Sequence, residues 1–488
     1  MTEIIPESIT PPERSGMAQV ASLSWPASLT MLNTTIVKFV DGYMVSHVGH
    51  TAFGAQYAAS MLAFGPEALA LGLLMVVNTF VSQNFGAGRG RRAGLYAWAG
   101  LAVAVGFATI MLPMFFLAGP IFDTLNHAPV LRGMELVYFR YMVIAAFVTL
   151  PARVFEQFFF GIHRSGIVLA VSLLANAVNI LMNYVLIFGK LGMPAMGLEG
   201  AAIGSLSAWT VQLAVLAVLF LRRPMRRRFG THMIRRFRWS RCRELIRVGW
   251  PAGVQLCSEI LCWALFATFL VGTYFGSEHL AATTVAMRYV GLSFMPAVGI
   301  GLATTAIVGK CIGQGRPDLA RRRAHKALMI ALIYMGACGL VFWLFRYPMV
   351  RFLLANTPSG TGAEDANAVI EIAARIMLCA AAFQLFDAVG IVYVGALRGA
   401  GDTHWPMITT VVASWSITVG GGLMMVHLLP QLTSVGPWIA VSAYVVVLGL
   451  CMAWRFESGV WRKIDLLGPR KRDARAAGVG RGIQGEKL

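Results

Sequence analysis

The sequence predicts an all-α membrane protein of about twelve transmembrane helices, arranged as two six-helix lobes related by a parallel pseudo-twofold repeat. Three observations carry this: long apolar runs, basic residues placed between them, and a short series of motifs that occurs twice in the same order. Of 488 residues, 57% are apolar and 13% are charged, about half the charged share of a soluble domain. A soluble chain this apolar would expose large adhesive surfaces. The 51 glycines suit helices that pack backbone to backbone in a bilayer.

A helix crosses the hydrocarbon core with about 20 apolar residues. The runs that do so are 17–46, 52–83, 93–118, 134–160, 166–189, 199–221, 246–275, 280–309, 324–346, 368–396, 404–428 and 436–455. They are too long for strands and lack alternation. Lys and Arg fix the orientation. With the N-terminus taken as cytoplasmic, inside segments hold 32 of the 41 basic residues, eleven of them in 222–247. The outside loops hold Arg132 and Lys190, with Arg346 and Arg351 at their borders. Both termini are therefore expected in the cytoplasm.

This gives a tail 1–16, an N-lobe 17–221 with helices 1–6, a basic linker 222–245, a C-lobe 246–455 with helices 7–12, and a basic tail 456–488. The linker reads as a solvated topology signal on the anionic leaflet. The net charge of +19 does not imply nucleic acid, because the basic residues lie between apolar runs. The first 16 residues are polar and acidic, unlike a signal peptide. The seven cysteines show no paired spacing, so neither a disulfide framework nor a zinc site is expected.

Leu23-Ser-Trp-Pro26 recurs as Val248-Gly-Trp-Pro251, and Val81-Ser-Gln-Asn-Phe-Gly-Ala-Gly-Arg89 as Val308-Gly-Lys-Cys-Ile-Gly-Gln-Gly-Arg316. Gly161-Ile-His-Arg164 aligns with Gly395-Ala-Leu-Arg398. Six helices per half is an even number, so both halves run the same way and the repeat axis lies along the membrane normal. Two such lobes enclose a cleft.

Carboxylates inside a membrane are costly and mark function. Asp41 lies near the end of helix 1, with Lys38 three residues earlier on the same face, so a local Lys–Asp pair competes with a functional reading. Glu259 lies well inside helix 7, with Gln255, Ser258 and Cys262 on its face. Asp387 lies inside helix 10, one turn after Phe383 and Gln384. Neither acid has a nearby basic residue on its own helix; a proton or metal ion is the expected compensation. Asn176, Asn179 and Asn183 form one polar stripe on helix 5, suited to interhelical hydrogen bonds or to a site. Glu156 with Arg153, and Glu371 with Arg375, read as structural pairs; Glu67, beside Pro66, is a cleft candidate. Gly480-Arg-Gly-Ile-Gln-Gly485 fits a dinucleotide fingerprint but lacks the flanking strand and helix. No catalytic motif of the common hydrolase or nucleotide-binding kinds is found, and no enzyme activity is expected.

At this point the sequence resembles the multidrug and toxic compound extrusion (MATE) family, in its bacterial multidrug-exporter branch. The resemblance rests on Ser82-Gln-Asn-Phe-Gly-Ala-Gly88 with Ile312-Gly-Gln-Gly315, on Asn179-Ile-Leu-Met-Asn-Tyr-Val-Leu-Ile-Phe-Gly189, on Gly197-Leu-Glu-Gly-Ala-Ala202, and on Leu397-Arg-Gly-Ala-Gly-Asp-Thr403 followed by Pro406. It covers roughly residues 17–456. It implies a V-shaped two-lobe antiporter of the bacterial inner membrane that exchanges sodium or protons for small organic, cationic compounds. It also implies an N-lobe cation site of Asp41, Asn179, Asn183 and Ser205, and a C-lobe site of Glu259 and Asp387. Pro26 resembles the helix 1 proline that permits bending; Gln255 and Gln384 join the cleft candidates. Sodium at Asp41, or at Glu259 and Asp387, is the only metal implied, and no cofactor. The expected partners are the substrate and the bilayer, with the chain acting as a monomer. Two features depart from the family pattern. Phe383 stands where some members carry a Tyr hydroxyl, and Lys38 places a positive charge near Asp41 that favours a proton over sodium. The alternatives are a lipid-linked oligosaccharide flippase, whose cleft needs basic residues for phosphate, and an intramembrane enzyme or receptor.

Overall fold

The computed structural model describes residues 16–124, 127–233, 238–355 and 363–468. The expected tail 1–16 (save Gly16), most of the tail 456–488 and the Gly480–Gly485 segment lie outside them. Twelve long helical paths follow one another: α1 Gly16–Ser46, α2 His50–Gly86, α3 Gly90–Asp123, α4 Pro129–Gly161, α5 Ser165–Phe188 and α6 Gly197–Leu221, then α7 Trp239–Thr273, α8 Ser277–Gly313, α9 Pro317–Ala355, α10 Ala363–Ala400, α11 His404–Leu428 and α12 Val435–Glu457. A short basic helix, Arg223–Phe229, follows α6. Among the described residues, 11 of these paths are long and apolar enough to cross a membrane by length and composition alone. The path that falls short is α1. Its 31 residues are long enough to span, but Asn33, Thr34, Thr35, Lys38 and Asp41 dilute its hydropathy. The run read from 17–46 forms one long helix, the one path among the twelve that falls below this hydropathy.

Polar atoms in a helix interior must be satisfied by neighbouring helices when water is absent. Helices in lipid associate through close packing of small residues, since burial against lipid gives no hydrophobic gain. Both rules act where the lobes meet, with α1 and α2 against α7 and α8. A side-chain carbon on Gly86 of α2 would meet the Lys310 carbonyl of α8, and one on Gly313 of α8 would meet the Gln83 carbonyl of α2. These two contacts are mirror copies under the repeat, as in an isologous interface. The repeat axis therefore passes between α2 and α8, where the lobes close on each other at the end rich in Arg and Lys.

The hydrogen bonds also fix the register of the repeat. The His163 amide donates to the Phe160 carbonyl, as the Gly401 amide does to Arg398 (2.9 and 3.0 Å). Ser165 Oγ donates to the Leu23 carbonyl and Thr403 Oγ1 to that of Val248 (3.1 and 2.6 Å). Hence Gly161 corresponds to Gly399 rather than Gly395, four residues further along than the motif alignment placed it. Glycines at both places made the shorter alignment equally good in sequence.

His163 is the non-glycine counterpart of Gly401, and both have positive φ (63° and 93°). Such a backbone is unfavourable for a residue with a side chain. The side chain is used across the lobe boundary: Nε2 sits 3.1 Å from the Ala306 carbonyl on α8, and Phe85 packs on the ring edge. Burial first, and Lys310 second, push the imidazole down to about 4, against the opposing effect of the Ala306 hydrogen bond. A separated pair of lobes would return it to the ordinary value near 6.5. Below that value the separated form binds a proton that the closed form refuses, so closure weakens as pH falls from about 6.5 to 4, roughly tenfold per unit. Spin-label distances across the basic end should lengthen over that range in the native chain and stay flat in His163→Gln. A native distance that ignores pH between 7 and 5 would refute this.

Candidate functional site

Two groups of polar residues lie deep in the helices. In the N-lobe, Asn183 Nδ2 donates to Asp41 Oδ1 (2.7 Å) and to Asn179 Oδ1 (3.3 Å), and Asn179 Nδ2 to Ser205 Oγ (3.4 Å). All four expected residues are thus within one hydrogen-bonded chain. Asn183 Oδ1 is buried and has no partner, leaving an acceptor beside the carboxylate. Asn176 takes the other role open to it and donates to the Asn33 carbonyl of α1 (3.3 Å), joining two helices. Sequence reasoning missed Tyr138 of α4, which is buried near Gln56 and Ser60 of α2 and within the electrostatic reach of Asp41.

Lys38 does not pair with Asp41. Its Nζ lies 5.3 Å from the centre of the Phe64 ring on α2, and it shares a field with Glu67 and Arg153. Glu67 accepts from Thr149 Oγ1 (2.8 Å). Arg153 is held by Glu156 (2.8 Å), whose other oxygen accepts from Gln212 (2.6 Å). The four-carbon stem of Lys38 reaches the neighbouring helix, so i,i+3 spacing misjudged its partner. The Glu371–Arg375 pair expected from spacing is not formed either; Glu371 accepts from Tyr347 (3.3 Å). Asp41 is therefore an acid served by amides and free of its own-helix lysine. Asp41→Asn should abolish ion coupling through this lobe with the melting temperature unchanged, and the added Lys38→Met should restore nothing. Recovery of transport in the double variant would reinstate the Lys38–Asp41 pair.

The second group lines a cavity of about 230 Å³ inside the C-lobe, which the N-lobe reaches through Met75. Glu259 and Gln255 enter it from α7, Asp387 from α10, Phe294 and Met295 from α8, and Met75 from α2. Gln255 donates to Thr410 Oγ1 (3.0 Å). Gln384, by contrast, turns to Ser293 Oγ (2.9 Å), with its own oxygen left unpartnered. Pro26 is buried in α1, and its carbonyl accepts from Thr30 (2.7 Å). Glu259 and Asp387 act on each other through space, and among the described residues neither carboxylate has a hydrogen-bond or ion-pair partner. Two further groups join them that the sequence did not reveal. The Tyr444 hydroxyl of α12 is buried without a partner and is coupled electrostatically to both acids, a hydroxyl supplied from another helix than the one carrying Phe383. Arg398, counted from sequence as three turns from Asp387, lines the same cavity.

Unpartnered carboxylates in an apolar cavity can take up a proton or a small cation. Two six-helix lobes, with such a cavity in one of them, make a polytopic transporter-type membrane fold. The comparisons place it: the MatE family model matches residues 26–185 and 251–423, and the chain belongs to this family, the MATE family of the motifs above. It is 28% identical over 460 residues to a protein of Mesorhizobium japonicum named "Probable multidrug resistance protein NorM", covering 93% of this chain and 96% of that one. It is 25% identical to the multidrug resistance protein MdtK of Edwardsiella ictaluri, covering 89% and 94%. The fold matches a crystal structure of a MATE protein in complex with MaL6 at TM-score 0.82, with 21% identity and 92% and 98% coverage.

Proposed function

We propose that this chain is a proton- or sodium-coupled antiporter that exports amphipathic, cationic organic compounds by alternating access. Its place would be a bacterial inner membrane, with both termini in the cytoplasm. The observation that carries this reading is the pair of unpartnered acids, Glu259 and Asp387, in a C-lobe cavity that Met75 of the N-lobe also lines. A cation or proton would satisfy them, and a cationic substrate would compete for the same charge. Met75, Phe294, Met295 and Phe386 offer adaptable apolar contact beside the acids. The Gly86–Gly313 contact closes the basic end, which the positive-inside rule puts in the cytoplasm; in this state the cleft would serve the other side. Asp41 with Asn179, Asn183 and Ser205 would form a second cation site in the N-lobe.

Relatives named as the multidrug resistance proteins NorM and MdtK support drugs as the substrates. Proteoliposomes loaded with ethidium and given a proton gradient, a sodium gradient or neither should lose the dye fastest with one of the two ions. Equal rates in all three would refute ion coupling.

A further inference from the structure

Arg398 stands at the meeting point of the acid cavity and the closed end. Its carbonyl accepts from Thr79 Oγ1 of α2 (2.8 Å), and that of the next residue, Gly399, accepts from Gln83 Nε2 (2.9 Å). Thr79 and Gln83 belong to the N-lobe segment that carries Gly86. The main chain of 398–399 is therefore a docking point between lobes. The side chain of the same residue faces the cavity of Glu259 and Asp387 and acts electrostatically on Glu259. Its hydrogen bond there goes to a thioether, Met75 Sδ (3.3 Å), a weak acceptor, and no carboxylate lies within ion-pair distance of it among the described residues. A guanidinium normally takes planar, bidentate acceptors. The repeat shows that the fold does not require an arginine here, because the equivalent N-lobe residue is Phe160, buried in its own core. The charge occurs only in the lobe that holds the two unpartnered acids.

We propose that Arg398 is the resident counter-ion of the Glu259–Asp387 pair, exchanging with the coupling ion and carrying that exchange to the lobe closure. This rests on the C-lobe reading above. Two carboxylates and one guanidinium have a formal charge of −1, so one proton or one monovalent cation neutralises the cavity. The arrangement seen, with the guanidinium on Met75 and the carbonyl bridge to Thr79 made, is then the one that goes with occupied acids. When the ion leaves, the guanidinium turns to the acids. That movement draws residue 398 off the N-lobe segment and loosens the closed end. Arg398 is a positioning residue: it acts on the substrate through the acids and the closure.

The test uses the full chain in proteoliposomes, with ethidium as the transported probe and protons and sodium as separate driving ions. Losing the competing positive charge should strengthen ion binding. In Arg398→Gln the half-saturating concentration of the driving ion should fall about tenfold, the effect of one neighbouring charge. Arg398→Lys keeps the charge and should stay within about threefold of the native value. A native-like Arg398→Gln, or equal shifts in Gln and Lys, would overturn the proposal. Should Arg398→Gln fail to fold, it is combined with Glu259→Gln. Recovery of the fold then shows that the guanidinium answers that acid, and no recovery overturns the idea. Glu259→Gln alone separates the two layers. Native ion dependence in that variant removes the C-lobe reading itself, whereas ion-independent Glu259→Gln with native-like Arg398→Gln removes only the role of Arg398.

Discussion

Glu259→Gln and Asp387→Asn should each reduce ion-driven ethidium efflux to the level of protein-free liposomes while leaving ethidium binding in place. The expectation follows from what surrounds the two acids. Neither donates to structure: no hydrogen bond or ion pair ties either carboxylate to the described residues, so the amide variants remove no support from the helices. Each variant does remove half of the negative charge that a coupling ion must neutralise. Two carboxylates that act on each other behave as one titrating unit, and loss of either member destroys it. The double variant should therefore be no worse than either single one, a non-additivity expected of groups that act together. Binding and flux must be measured on the same preparation. A folded Glu259→Gln protein that exports at the native rate would end the assignment, and a variant that loses its fold would show that the acids serve structure.

The second large effect comes from the closed end. Gly313→Val places a branched side chain against the Gln83 carbonyl, and Gly86→Val places one against that of Lys310. The obstacle in each case is main chain of the opposite lobe, which cannot turn aside as a side chain can. Overpacking of this kind costs about 1–3 kcal/mol, roughly a 5- to 150-fold change in the ratio of closed to open forms. Either variant should transport at least about fivefold more slowly and show longer spin-label distances across the basic end. Each lobe is internally unchanged, so the melting temperature should move little. Gly133→Val is the control, because a side-chain carbon there meets nothing within 4 Å. If Gly313→Val keeps the native distance and rate, the contact at Gly86 and Gly313 is not a closure that must open during transport.

Most of the fold was legible because each spanning helix must be apolar along its whole length, a signal that needs no partner to be read. The exception, α1, shows the limit. Its polar face is satisfied by α5, through Asn33 to Ser172 and Asp41 to Asn183, and composition alone cannot see a neighbour. The acids Asp41, Glu259 and Asp387 stood out because a charge in an apolar run is conspicuous. What completes their surroundings did not. Tyr138 and Tyr444 look like ordinary aromatic residues on their own helices, and only tertiary packing brings them within the electrostatic reach of an acid. Arg398 lies three turns from Asp387 along α10, but Glu259 reaches the same cavity from α7. Lys38 misled for the same reason, since helical spacing fixes where a side chain starts and not where a long one ends.

The proposed antiport through one set of acids must run in both directions, because coupling between two ligands is reciprocal. The most direct measurement is therefore the reverse of efflux. A steep ethidium gradient is imposed across proteoliposomes with no ion gradient, and ion movement is recorded with a proton- or sodium-sensitive dye. The native chain should drive its coupling ion against the direction of ethidium flow, and the Glu259→Gln, Asp387→Asn double variant should drive none. Ethidium crossing through the native chain with no accompanying ion flux would contradict the account.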